Sequence, residues 1–246
     1  IDIAFCSTPF SYEEVDILDE LDVPFFKVAS MDLNNLNLLK YIAKKGKPII
    51  LSTGMGTLSE IDNALNTIFD VGNREVILLH CVSIYPPDDK VVNLNNMIML
   101  KDTFGLPVGF SDHTIGTSVP LAAIAMGAKI IEKHVTLNKK MHGPDHAASI
   151  EFSEFKRMVD LCNKVSKSMG HDKKKFLKSE KILNKILTRK FIAKKKIDKG
   201  NVINDNNIDT AIIRSNKGIN PKLYYNILGK KTKKTIFKGD LIKFEN

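Results

Sequence analysis

Two short stretches in the middle of the chain carry side chains able to hold an ion jointly: Ser111-Asp112-His113 and Glu132-Lys133-His134. In an extended strand, residues two apart share a face, so Ser111 goes with His113 and Glu132 with His134. If the two stretches are neighbouring strands, the two imidazoles converge. Two histidines, completed by water and substrate oxygens, suit an octahedral divalent ion such as manganese, with magnesium as the alternative. Taken alone, each histidine fits a hydrogen-bonded core residue equally well.

Lys27 lies inside the apolar stretch FFKVAS, where an ammonium without an anionic partner is costly. One reading pairs it with a strand-end carboxylate, Asp32 or Glu132. The other makes it a clamp for a phosphate or carboxylate, helped by the hydroxyls of Ser30, Ser52 and Ser111. In STGM, Gly54 lets backbone N–H groups approach an anion. Tyr85-Pro86-Pro87 reads as a rigid loop able to line a sugar pocket. HGPDH, from His142 to His146, is a polar turn in which Asp145 could orient a carbonyl or hydroxyl, or simply face solvent.

These groups need elements to position them. Six apolar runs recur: Ile3–Pro9, Pro24–Ser30, Pro48–Gly54, Val76–Ser83, Pro107–Thr114 and Lys129–Thr136. Between and after them, Ser11–Leu21, Leu36–Lys45, Ser59–Phe69, Val119–Met126 and Phe152–Met169 have helical character, with Ser59 as a cap. Apolar strands alternating with helices predict a parallel sheet covered on both faces. Nearly every strand ends in a polar, reactive group, as in a (β/α)8 TIM barrel whose strand ends share one mouth. No GxGxxG follows the first strand, which disfavours the open dinucleotide-binding sheet. Six units predict two more upstream of Ile1.

Of the 246 residues, 43% are apolar, and no uninterrupted apolar run is long enough to span a membrane. The opening IDIAFCSTPF is too short and polar for a secretory signal. Cys6, Cys81 and Cys162 are widely spaced and odd in number; packing roles in a reducing cytoplasm are expected. From His171 onward there are 21 Lys+Arg against 7 Asp+Glu, whereas residues 1–170 hold 16 against 21. The expected division is a partial barrel over 1–170, a Lys-rich linker over 171–186, and a small β-rich domain over 187–246. Few aromatics and no helix-turn-helix argue against nucleic acid as its partner.

The sequence closely resembles the sialic acid synthases, meaning N-acetylneuraminate synthase and its legionaminate and pseudaminate relatives. The matching stretches are STPFS at Ser7, FKVAS at Phe26, GKPIILSTGM at Gly46, LHCVSIYP at Leu79, GFSDHTIG at Gly109, EKHVTL at Glu132 and GPDHAAS at Gly143. The trailing part resembles the antifreeze-like, or SAF, module of these enzymes through RKFIAKKKIDKG and KGINPKLYYNILGKK. The resemblance implies a metal held by His113 and His134, and phosphoenolpyruvate contacts from Lys27, Ser30, Ser52 and Ser111. It also implies that Tyr85 and Asp145 position the acceptor sugar. Asp32 stands where the family commonly has Glu. Arg214 matches an arginine that the capping module lends to the substrate across a domain-swapped homodimer, and Ser215 replaces the proline usual after it. The family's first two strands, with a catalytic glutamate, have no counterpart here, so a polypeptide starting at Ile1 is expected to be inactive or severely impaired.

The implied reaction condenses phosphoenolpyruvate with N-acetylmannosamine or a related acetamido sugar, giving a nonulosonic acid and phosphate. Two rivals are a different phosphoenolpyruvate-dependent keto-deoxy sugar acid synthase and an inactive fragment whose basic C-terminal domain binds polyanions.

Overall fold

The computed structural model describes residues 3–214 and 217–245, and these fall into two compact units divided after Gly170. In the N-terminal unit the elements run α1 (Tyr12–Glu20), β1 (Phe26–Val28), α2 (Leu36–Ala43), β2 (Ile49–Ser52), α3 (Leu58–Phe69) and β3 (Val76–Cys81). They continue with α4 (Asp89–Val92), α5 (Asn95–Phe104), β4 (Val108–Asp112), α6 (Ser118–Ala125), β5 (Ile131–Lys133), β6 (Val135–Thr136), β7 (Ile150–Glu151) and α7 (Phe152–Met169). Strands β1 to β5 pair in sequence order, all parallel, into an open arc. Every carboxyl end therefore lies along one edge of that arc.

Hydrophobic patterning accounts for the arrangement. All four residues of β2 are buried, as are five of the six in β3, because helices cover the sheet. On α3 the buried residues Ile61, Ala64, Leu65 and Ile68 follow a helical stripe. Phe26, Ile49, Leu51, Leu78 and Phe110 form the middle of the core.

The structure departs from the sequence expectations at several places. Ile3–Pro9 is not a strand: among the described residues no ladder partner reaches it, and Ile3 and Phe5 are 79% and 62% exposed. An apolar run makes a strand only where another strand supplies the hydrogen bonds. The run Lys129–Thr136 is split at His134, and β6 pairs instead with β7, an element too short to show a pattern. The cap of α3 is Thr57 rather than Ser59. Its hydroxyl accepts from Glu60 N, and the Glu60 carboxylate accepts from Thr57 N, a reciprocal capping box.

The C-terminal unit has its own core of Phe191, Ile197, Ile203, Ile208, Ile219, Ile227, Ile236 and Ile242. A helix, α8 (Glu180–Leu187), occupies the end of the stretch expected to be linker. Strands β8 (Arg189–Ala193) and β9 (Ile208–Ile212) pair antiparallel, isolated bridges such as Ile197 to Ile236 replace further ladders, and α9 (Tyr224–Ile227) follows. Ser215 lies outside the described residues. Among those described, no helix is long and apolar enough to cross a membrane.

Leu78, fully buried in the central strand, should cost about 2–5 kcal/mol when replaced by Ala, whereas Ile17→Ala, 55% exposed on α1, should change stability by about 0.5 kcal/mol or less. Urea unfolding of the two variants measures both. His80 on β3 is buried and donates from Nε2 to Val92 O at 2.7 Å. Burial pushes its imidazole pKa below the usual value, despite the opposing effect of the Val92 bond. A lowered folded-state pKa means the unfolded chain takes up the proton first, so stability is lost as pH falls below about 6.5. The urea midpoint of the parent should therefore drop more between pH 7.5 and 5.5 than that of His80→Asn.

Candidate active site

Period-two alternation along β4 turns Ser111 and His113 to the same face, and the parallel register sets Ser111 beside Glu132 of β5. Ser111 Oγ donates to Glu132 Oε1 at 2.7 Å. From β1, Lys27 Nζ donates to Ser52 Oγ at 2.8 Å and lies 3.4 Å from Glu132 Oε2. The ammonium, only 11% exposed, is thus neutralised by Glu132, one of the two carboxylates expected for it. Ser30 joins from the turn after β1, where its Oγ accepts from Gly54 N at 3.1 Å. A Cβ on Gly54 would come within 2.5 Å of Ser83 Oγ and 2.8 Å of Ser30 Oγ, so only glycine permits this approach.

Lys27, Ser30, Ser111 and Glu132 line a cleft of ≈460 Å³ together with Thr8, Cys81, Ser83, Tyr85, His113 and His134, and Ser52 reaches it through its bond to Lys27. The rings of His113 and His134 stand 5.3 Å apart at 63°, with Tyr85 4.0 Å from the first and 5.5 Å from the second. Imidazoles sharing one ion, each nitrogen about 2.1 Å from it, have centroids roughly 5 Å apart, a spacing that the 5.3 Å between these rings matches. His113 Nδ1 lies 2.8 Å from Val82 O; a carbonyl only accepts, so Nδ1 carries the proton and Nε2 is left for another partner. His134 Nδ1 lies 3.8 Å from Asp145 Oδ2. Among the described residues no group of three or more His, Cys, Asp or Glu is placed to hold a metal. The protein therefore offers two imidazoles, and any ion there would take its remaining ligands from water or substrate.

Burial raises the Cys81 pKa, but hydrogen bonds from His113, Ser30 and Ser83 outweigh it, and the thiol ends below its ordinary value. For His113, burial works downward while Cys81, Val82 O and Glu132 pull the imidazole pKa up. Tyr85 is raised, first by burial and then by the negative charges of Cys81, Asp145 and Glu132.

The structure thus brings Lys27, Ser30, Ser52, Tyr85, Ser111, His113, His134 and Asp145 into one neighbourhood. It does not bring Asp32 there. After β1 the chain coils into a 3-10 turn at Ser30–Asp32, and Asp32 is not on the cleft wall. Its Oδ1 accepts from Asn35 at 3.2 Å, and its buried Oδ2 has no partner. Arg214 lies in the C-terminal unit, exposed, just after β9. Glu132 and Cys81 belong on the cleft wall. The first was legible from its shared face with His134. The second was read as packing, because an apolar strand hides which cysteine reaches the strand end.

Against this geometry, the profile of the NeuB family matches residues 1–174. The chain is 45% identical over 243 residues to N,N'-diacetyllegionaminic acid synthase of Campylobacter jejuni, covering 98% of this chain and 72% of the relative. The chain belongs to the NeuB family. It is also 37% identical to pseudaminic acid synthase of Helicobacter pylori, over 95% of this chain and 68% of that one. A solved N-acetylneuraminic acid synthetase from Leptospira borgpetersenii, in complex with citrate, superposes with a TM-score of 0.69 at 38% identity, covering 73% of this chain and 62% of that one.

Within this NeuB site, Cys81 should react with iodoacetamide at lower pH than Cys6 or Cys162, both of whose thiols burial raises. His113→Gln should move the Cys81 rate–pH profile upward, as peptide mapping of the alkylated protein would show; an unmoved profile contradicts the contact.

Proposed function

We propose that this NeuB protein condenses phosphoenolpyruvate with an acetamido sugar, N-acetylmannosamine or a diacetamido relative, to form a nonulosonic acid and phosphate. The observation carrying the reading is the convergence of Lys27, Ser30, Ser52 and Ser111 beside two imidazoles 5.3 Å apart. An anion array next to a paired-imidazole site is what a doubly charged donor and a carbonyl acceptor require. The Leptospira relative holds citrate, a polycarboxylate, which agrees with an anion pocket in the family.

In this reading Lys27 and the hydroxyls of Ser30, Ser52 and Ser111 bind the phosphate and carboxylate of phosphoenolpyruvate. The phosphate takes the place beside Lys27 that Glu132 occupies, and Glu132 remains bonded to Ser111. A divalent ion held by His113 and His134, manganese or magnesium, would supply Lewis-acid polarisation of the sugar aldehyde. Tyr85 and Asp145 orient the open-chain sugar so that its C1 faces C3 of phosphoenolpyruvate. The new bond joins those carbons, the aldehyde oxygen gains a proton, and C2 becomes oxocarbenium-like. Water adds to C2, and the tetrahedral adduct expels phosphate. Lys27 stays fixed throughout, so its charge needs no reorganisation as negative charge moves onto the leaving group.

Arg214 is assigned to the acceptor, contributed as a SAF-type capping domain within a domain-swapped homodimer. That assignment rests on the resemblance of the C-terminal stretch. Cysteines that stand unpaired agree with a cytoplasmic setting.

Phosphate release from phosphoenolpyruvate, measured with N-acetylmannosamine, its diacetamido analogues and phosphorylated sugars in turn, tests the proposal. Unphosphorylated acetamido sugars should support turnover, and His113→Ala should abolish metal-dependent phosphate release. Lys27→Met should lower kcat/KM for phosphoenolpyruvate by about 100-fold or more while the protein stays folded. Preference for a sugar phosphate, or full activity without the lysine, would overturn it.

A further inference from the structure

The ladder between β4 and β5 stops one row short of the two imidazoles. Its register runs Phe110 to Ile131, Ser111 to Glu132 and Asp112 to Lys133, and neither His113 nor His134 belongs to a strand. The β4–β5 pairing therefore does not itself fix the distance or aim of the two rings; the backbone bond at His134, from Ile150 N to its carbonyl at 2.9 Å, runs to β7 and not to His113. The last paired row is an ion pair. Asp112 Oδ2 and Lys133 Nζ lie 2.6 Å apart, with side chains 0% and 2% exposed.

The contacts of this pair surround His113. Asp112 Oδ1 accepts from Thr114 N at 2.8 Å and from Thr114 Oγ1 at 2.7 Å. Lys133 Nζ also donates to Thr114 O at 2.6 Å. The residues on both sides of His113 are thereby tied to the residue immediately before His134. Alternation turns Asp112 and Lys133 to the face opposite Ser111 and Glu132, their side chains are buried, and neither lines the cleft.

Burying two charges is a poor means of stabilising a fold, since apolar side chains of similar volume commonly do as well or better. What charges add is direction: a carboxylate and an ammonium with nearly every lone pair and proton engaged accept only one register. We propose that Asp112 and Lys133 are positioning residues that hold His113 and His134 at the spacing and orientation of a shared ion. The proposal rests on the metal reading of the preceding section only for the identity of the ion. The geometric claim concerns the rings themselves.

The experiment is made on the full chain, with selectively labelled histidine and two readouts. One is the nuclear Overhauser contact between the rings of His113 and His134 in metal-free protein; the other is Mn2+ affinity, from the electron paramagnetic resonance signal of the free ion. Asp112→Asn and Lys133→Met each leave one group without its partner. The double replacement Asp112→Leu/Lys133→Met removes both charges together and is the variant expected to stay folded. It should unfold near the parent's temperature, lose the ring–ring contact and bind Mn2+ about 10- to 100-fold more weakly. A purely structural role would lower the unfolding temperature and leave both readouts of the folded protein unchanged, which would overturn the proposal.

Thr114→Val removes one hydroxyl from the clamp without stranding a charge, and it decides the matter if the other variants do not fold. A weakened ring–ring contact supports the clamp; a parent-like contact refutes it. A parent that shows the ring contact but binds no Mn2+ would sink the metal reading, while the ring readout would still decide the positioning claim.

Discussion

Strands that all run in one direction place all their carboxyl ends on one edge, and in this protein that constraint assembles everything chemical. Each of β1 to β4 hands over a polar residue in the last two rows of its ladder: Lys27, Ser52, Cys81 and Ser111. β5 contributes Glu132, with His134 just past its end. Helices cannot cover these ends, because the chain must leave each strand there to begin its crossover. The result is a polar rim above an apolar core, with side chains far apart in the chain brought within hydrogen-bond distance.

Electrostatics then sorts the rim into two regions. Around Lys27 the charge is balanced by Glu132 and screened by hydroxyls, an arrangement in which an incoming anion exchanges one acceptor for another rather than neutralising a bare ammonium. Around His113 and His134 the neighbours are a phenol, a thiol, a carbonyl and the Asp145 carboxylate. Beneath that second region lies the fully buried pair of Asp112 and Lys133. The strand thus carries one ion pair on its hidden side and another at the cleft.

Much of this was readable from local pattern. The apolar runs of β2, β3 and β4 are long enough that burial on both faces is their only economical use, and their neighbouring helices carry clear stripes. The faces shared by Ser111 with His113, and by Glu132 with His134, followed from strand alternation alone. Asp32, a strand-end carboxylate near Lys27 in the chain, is kept off the cleft wall because the chain turns at Ser30–Asp32. At Ile3–Pro9 an apolar run is present, but among the described residues no partner strand pairs with it. The capping box at Thr57 and Glu60 was legible in principle, since both residues stand at the right spacing before an apolar stripe.

Residue types and their spacing were enough to determine the alternation of strands and helices, the presence of a lysine inside an apolar strand that needs an anionic partner, and the shared side of Ser111 with His113 and of Glu132 with His134. Those properties depend on contacts among residues near one another in the chain. Tertiary structure alone decided that Glu132 rather than Asp32 answers Lys27, that Cys81 meets His113, and that Asp112 closes on Lys133. These depend on register between strands twenty to a hundred residues apart, which is set by the packing of the whole sheet and cannot be read from any single segment.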